Sequence, residues 1–172
     1  SEDVACLNET IQFYNASSQD NSAFWDFGDG STSIDFSPIH IFSTTGNFEV
    51  LLVMENDFGC KDSTTQTIYI TEIPQPFFQL NTHEGCAPLE VDVTNQTTGY
   101  GVTFFWYFSN GISSMEVNPE PVLFDQGIND TTYQITLGVV NLCGASYYQD
   151  SVLVHASPVA NFGISPESNC TP

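Results

Sequence analysis

Trp25-Asp26-Phe27-Gly28-Asp29-Gly30 is the stretch that decides the fold. Trp25 and Phe27 fall on one face of an extended strand and Asp26 on the other, so the two rings suit a core while the carboxylate stays in water. Gly28-Asp29-Gly30 then supplies a tight turn, because glycines tolerate positive φ and an Asp caps free backbone amides. Working outward, the hexapeptide returns 81 residues later, degraded, as Trp106-Tyr107-Phe108-Ser109-Asn110-Gly111, with Pro38 and Pro119 at the same offset. Upstream, Cys6 recurs as Cys86, each heading an alternating run that ends on Asn15 or Asn95. Downstream, Phe48-Glu49-Val50-Leu51-Leu52-Val53 returns as Tyr133-Gln134-Ile135-Thr136-Leu137-Gly138, and Cys60 as Cys143. Pro74 to Cys86 and Pro158 to Cys170 are matched spans with Phe78 answering Phe162, so a third unit opens at the end.

The chain therefore reads as repeats of about 80 residues: a unit at 1–73, whose own first strand the sequence leaves in question, a second at 74–156, and the start of a third at 157–172. Apolar residues alternate with period two, as in Phe48, Val50, Leu52, Met54 and in Tyr133, Ile135, Leu137, Val139, with Thr65, Thr67 and Tyr69 near a unit's end. That is strand patterning, and no segment sustains a helical period. About seven short strands per unit, packed as two antiparallel sheets, is the economical all-β solution. The proline-bearing joins at Ile73-Pro74-Gln75-Pro76 and Ala156-Ser157-Pro158 are expected to be stiff.

Net charge is −20, with Lys61 as the one basic residue among the Lys and Arg positions. Phosphate recognition needs cationic side chains, so nucleic acid is excluded as a partner and an anionic lipid surface is disfavoured. No run of 18 apolar residues is present to insert in a membrane. Small domains need staples. Four of the five cysteines allow three pairings, and repeat symmetry favours Cys6 with Cys60 and Cys86 with Cys143, leaving Cys170 for a later repeat. Each such bond closes a loop worth about 4 kcal/mol in the chain-entropy model and implies an oxidising, extracellular compartment.

The run from Trp25 to Gly30, followed by Pro38, His40 and Phe42 and then Gly46, Phe48, Val50 and Leu52, resembles the polycystic kidney disease (PKD) domain. The second unit departs from that pattern: Tyr107, Ser109 and Asn110 replace the Asp, Gly and Asp of the motif, and Pro121 stands for the His. The resemblance implies tandem immunoglobulin-like β-sandwiches, found outside the cell as spacer or adhesive modules. The acidic, Thr- and Asn-rich texture is similar to repeats of very large surface proteins of Bacteroidota, gliding-motility adhesins among them. A non-catalytic structural or adhesive segment of a stalk or filament is the leading expectation. Its partners would be neighbouring repeats, surface glycans or other filament subunits. An accessory polysaccharide- or protein-binding module of a secreted hydrolase is the alternative.

Nothing in the sequence assembles a nucleophile, a phosphate loop or paired catalytic carboxylates, so an enzyme is not expected. Asp26, Asp29 and Asp35 offer hard oxygens that a Ca²⁺ would accept, the competing reading being that Asp29 caps its turn. No other cofactor is expected. The resemblance gives His40 a structural place beside the next strand. Asn8, Asn15, Asn95 and Asn129 lie in N-x-(S/T) triplets, and Ser63, Thr131 and Ser151 follow an Asp in the kind of triplet that Bacteroidota O-glycosylation resembles.

Overall fold

The computed structural model describes residues 3–17, 22–125 and 129–164; Cys170 lies outside them. Among the described residues every regular element is a strand, and no helix is long and apolar enough to cross a membrane. The strands form two sandwiches, each around its own core.

In the first sandwich the strands are β1 (Asp3–Cys6), β2 (Ile11–Gln12), β3 (Ser22–Asp26), β4 (Thr32–Ser33), β5 (Ile39–His40), β6 (Gly46–Glu55) and β7 (Lys61–Thr71). A five-stranded sheet in the order β1-β7-β6-β3-β4 faces the pair β2-β5. In the second they are β8 (Phe78–Leu80), β9 (Glu84–Cys86), β10 (Leu89–Val91), β11 (Val93–Asn95), β12 (Thr103–Phe108), β13 (Ser113–Ser114), β14 (Val122–Phe124), β15 (Thr131–Asn141) and β16 (Gly144–His155). Here β13-β12-β15-β16-β9 make the large sheet, opposed by β10-β14 and β11-β8.

The repeat read from sequence is a repeat in space. Trp25 lies opposite Leu52 and Ser33, and Trp106 opposite Leu137 and Ser114. Both tryptophans are buried, as are Phe27 and Phe108 two residues on. Alternation holds in β6, where Val50, Leu52 and Met54 turn inward, and in β15, where Ile135, Leu137 and Val139 do. In β7 the inward residues are Ile68 and Ile70, while Thr65 and Thr67 face solvent. One pairing in each sandwich departs from an all-antiparallel plan: β1 runs parallel to β7, and β9 parallel to β16.

That parallel pairing overturns the expected disulfides. Cys6 sits opposite Thr71, at the far end of β7 from Cys60, and Cys86 opposite His155, at the far end of β16 from Cys143. Ten or more residues of strand separate the members of each expected pair, about 35 Å, whereas bridged cysteines bring their Cα atoms within about 7 Å. Cys6 is instead bonded to Cys143 of the second sandwich, with Cα atoms 5.5 Å apart, and Cys60 and Cys86 are free and exposed. Repeat symmetry does hold for the cysteines, but it applies between units rather than within one.

The join is correspondingly tight. Asn141 Nδ2 donates to the carbonyl of Glu72 at 2.8 Å, and Gln75 and Thr98 exchange backbone hydrogen bonds at 3.0 and 3.2 Å. Ser146 donates its hydroxyl to the carbonyl of Pro74, and the rings of Tyr69 and Tyr100 lie 4.1 Å apart between centroids.

Candidate functional site

The motif turn is built from its own side chains. Gly28 adopts φ +76°, and a Cβ there would come within 2.7 Å of the Glu49 carbonyl oxygen, so the turn packs against β6 in a way open only to glycine. Asp26 accepts from the amide of Gly28 at 2.9 Å, and Asp29 from the amide of Ser31 at 2.9 Å. The other oxygen of Asp29 meets His40 Nε2 at 2.8 Å, while the His40 ring stacks on Phe27 with centroids 4.0 Å apart. Burial alone would push the Asp29 carboxyl up, but the Ser31 hydroxyl and amide and then His40 outweigh it and hold it below its ordinary value. Asp35 is occupied with Ser33, whose hydroxyl accepts the Asp35 amide at 3.1 Å. Asp26, Asp29 and Asp35 thus each serve a local turn, and among the described residues no group of three or more His, Cys, Asp or Glu gathers around a common point.

The second sandwich drops this polar pair as a unit. Ile11 faces His40 across β2-β5 and Val91 faces Val122 across β10-β14, so Val122, buried, takes the place of His40, one residue on from Pro121. Asn110 stands where Asp29 does and turns its amide to the Leu123 carbonyl at 3.3 Å.

The other two histidines also find carboxylates. His83 Nε2 lies 3.0 Å from Asp150, and His155 Nδ1 2.9 Å from Asp130. Asp130 is held below its ordinary value by His155 first and by the Ala156 amide second. No local pattern marks either pair, because the partners are distant along the chain. The acceptor candidates for glycans are scattered: Ser63, Ser151, Asn8 and Asn129 are exposed, and Thr131, Asn15 and Asn95 half-buried. Asn95 is engaged, its amide donating to the Val117 carbonyl at 2.7 Å.

Two features escaped the sequence reading. The first is an aromatic row on the outer face of β12-β15-β16. Phe105, Gly138 and Tyr147 lie side by side in register, and Tyr107 follows two residues along β12. Phe105 is 43% exposed, Tyr107 56% and Tyr147 72%. A Cβ on Gly138 would meet the Tyr147 ring at 2.9 Å, so glycine lets that ring lie down across the strand. The result is a shallow platform of rings with a backbone floor, suited to stacking against a flat apolar or amphipathic ligand. The second is a cavity of about 680 Å³ between the sheets of the first sandwich, bounded by Phe13, Tyr14, Trp25, Val50, Leu52 and Thr64 among others. Among the described residues Trp25 Nε1, buried beside it, has no hydrogen-bond partner, whereas Trp106 Nε1 donates to the Glu116 carbonyl at 2.9 Å.

Residues 2–72 match the family model described as the PKD domain. Collagenase ColQ1 of Bacillus cereus (strain Q1) is 38% identical over 69 residues, covering 36% of this chain and 7% of that protein. Microbial collagenase of Vibrio alginolyticus is 33% identical over 72 residues, 39% of this chain and 9% of the relative. The chain thus spans less than a tenth of the length of these curated relatives. Among solved structures, the I-band fragment I67–I69 from titin aligns with a TM-score of 0.55 at 14% identity, over 90% of this chain and 62% of that one. The amphioxus IgVJ-C2 molecule aligns with a TM-score of 0.52 at 13% identity, over 87% and 98%. The fold is that of tandem immunoglobulin-like sandwiches, and the PKD match falls on the first of them.

Proposed function

We propose that this chain is a non-catalytic accessory segment of a secreted hydrolase, holding the parent enzyme against an insoluble fibrous protein. The observation that carries the reading is the aromatic row Phe105–Gly138–Tyr147 with Tyr107, in which exposed rings of neighbouring strands stand together in register on one sheet face. Rings presented flat on a rigid sheet bind at low entropic cost, since the strands already fix their positions. The collagenases among the relatives supply the substrate class, and they also favour an extracellular setting. Co-sedimentation with collagen fibrils tests it. The chain should pellet with fibrils, and Tyr147→Ala with Tyr107→Ala should weaken binding about tenfold or more, as loss of two stacking rings does. Binding to insoluble polysaccharide instead of fibrils, or equal binding by the double variant, would overturn it.

A second reading, a spacer or adhesive stalk such as the large surface proteins of Bacteroidota carry, is favoured by a different observation. The Cys6–Cys143 bond and the packed join remove slack between the sandwiches, which a stalk needs and a tethered binding module does not.

A further inference from the structure

One exposed loop is built twice. It joins β4 to β5 in the first sandwich, as Ser33-Ile34-Asp35-Phe36-Ser37-Pro38, and β13 to β14 in the second, as Ser114-Met115-Glu116-Val117-Asn118-Pro119. Its frame is the same in both. The hydroxyl of Ser33 accepts the Asp35 amide at 3.1 Å, and that of Ser114 the Glu116 amide at 3.1 Å. Farther along, the side-chain oxygen of Ser37 accepts the Asn15 amide at 3.2 Å and that of Asn118 the Asn95 amide at 2.9 Å, and Pro38 and Pro119 are both buried. A loop anchored on both sides holds its shape before a partner arrives, which lowers the ordering cost of binding.

What the loop presents is apolar. Ile34 and Met115 are 81 and 69% exposed, and Phe36 and Val117 45 and 55%. Just past His40 and its counterpart Val122 stand Ile41 and Leu123, 50 and 48% exposed. The side chains differ between the copies but their class does not, at three exposed positions where water alone would favour polar residues. A single exposed apolar residue needs no explanation, whereas a set that returns in the same places marks a contact surface. The exposure belongs to the loop itself: the junction covers one end of the first sandwich, at Thr71 and Glu72, and the opposite end of the second, at Asn141 and Ser146, and the side chains stand out in both.

A carboxylate selects the partner. Asp35 stands between Ile34 and Phe36, and Glu116 between Met115 and Val117, so covering the apolar pair takes the acid out of water with it. A carboxylate withdrawn from water needs a cation. Ser33 donates to Asp35 at 3.3 Å but brings no charge. A second copy of this chain does not supply the cation: its one Lys or Arg is Lys61, already 3.2 Å from Glu55, and two chains of charge −20 repel. A bilayer is disfavoured too, because insertion would carry the carboxylate into hydrocarbon. We propose that each loop docks into the surface of a different, cationic protein, with an Arg or Lys of that partner against Asp35 or Glu116 and apolar pockets for the flanking side chains. Two loops on one chain make the contact bivalent. This surface is separate from the row of Phe105 and Tyr147 and does not rest on the reading of that row.

The test titrates a peptide with a Leu-Arg-Leu centre in a Gly-Ser chain into the isotope-labelled full chain, followed by NMR, with Ser-Arg-Ser and Leu-Gln-Leu centres as controls. Amide signals of 34–37, 41, 115–118 and 123 should shift, and Leu-Arg-Leu should bind about tenfold or more tightly than either control. Phe36→Ser with Val117→Ser should weaken that binding about tenfold or more. Asp35→Asn with Glu116→Gln should abolish the preference for Leu-Arg-Leu over Leu-Gln-Leu, and Tyr107→Ala with Tyr147→Ala should change neither. Shifts spread over the whole acidic surface, equal affinity for Leu-Arg-Leu and Ser-Arg-Ser, or affinities that the loop variants leave unchanged would each overturn the proposal. So would loop-dependent binding to phosphatidylcholine vesicles, which would make the partner a membrane.

Discussion

Phe78→Ala should open a cavity beside Trp106 in the second sandwich, and its cost can be worked from the contacts. Phe78 is 1% exposed and lies against Trp106 and Tyr148. Cutting it back to Ala removes about 100–150 Å² of buried apolar surface, worth ~3 kcal/mol at about 25 cal/mol per Å². The walls are strands of two sheets and cannot close fully on the space, so a cavity term adds to this at ~24 cal/mol per Å³ left empty. The expected total is about 4 kcal/mol, within the range for core Phe→Ala changes. For a domain of this size that lowers the melting temperature by roughly 20 °C. Differential scanning calorimetry should show the transition of the second sandwich moving by that amount while the first stays put. A loss below about 1 kcal/mol would mean that β8 does not hold the core.

Trp106→Ala should destabilise the second sandwich by about 3–5 kcal/mol, measured by urea unfolding, because the indole is 2% exposed and its N–H is satisfied. Gly28→Ala should cost at least about 1–3 kcal/mol in the same assay, from positive φ and the meeting with the Glu49 carbonyl; an unchanged midpoint would refute the turn assignment. Asp29 has its folded value below the unfolded 3.8, so its contribution is present above that pH and is lost as pH falls through the lower folded value. Thermal unfolding of the first sandwich from neutral to strongly acid pH should show that loss, and Asp29→Asn should lack it; parallel profiles would refute the linkage. Non-reducing peptide mapping should recover Cys6 joined to Cys143 and no peptide joining Cys6 to Cys60.

The fold was legible because hydrophobic alternation and a doubled Trp-x-Phe motif are local signals. Trp25 and Trp106 occupy matching positions of matching strands, as their shared hexapeptide implied. The disulfide was not legible, because cysteine spacing along a chain does not report which end of a sandwich each residue reaches. Parallel pairing of β1 with β7 decides that, and parallel partners are joined by distant contacts that leave no periodic trace. The counterpart of His40 is Val122 rather than Pro121, because the loop between the Trp strand and this strand is one residue longer in the second unit, a difference that a constant offset along the chain does not reveal. The aromatic row escaped because Phe105, Gly138 and Tyr147 come from three strands and become neighbours only through the sheet register.

The bond between Cys6 and Cys143 also changes what happens when the two ends are pulled apart. Force entering at Asp3 travels along β1 to Cys6, crosses the sulfurs, and leaves along β16 to His155. The intervening chain, 137 residues by sequence separation, lies within a closed covalent loop and bears no load. Even if both cores melted, roughly 450 Å of contour length would stay locked away, at about 3.3 Å per residue. A reducing agent would make that length available to unfolding, so the redox state of a single bond decides whether the strength of either sandwich is tested at all.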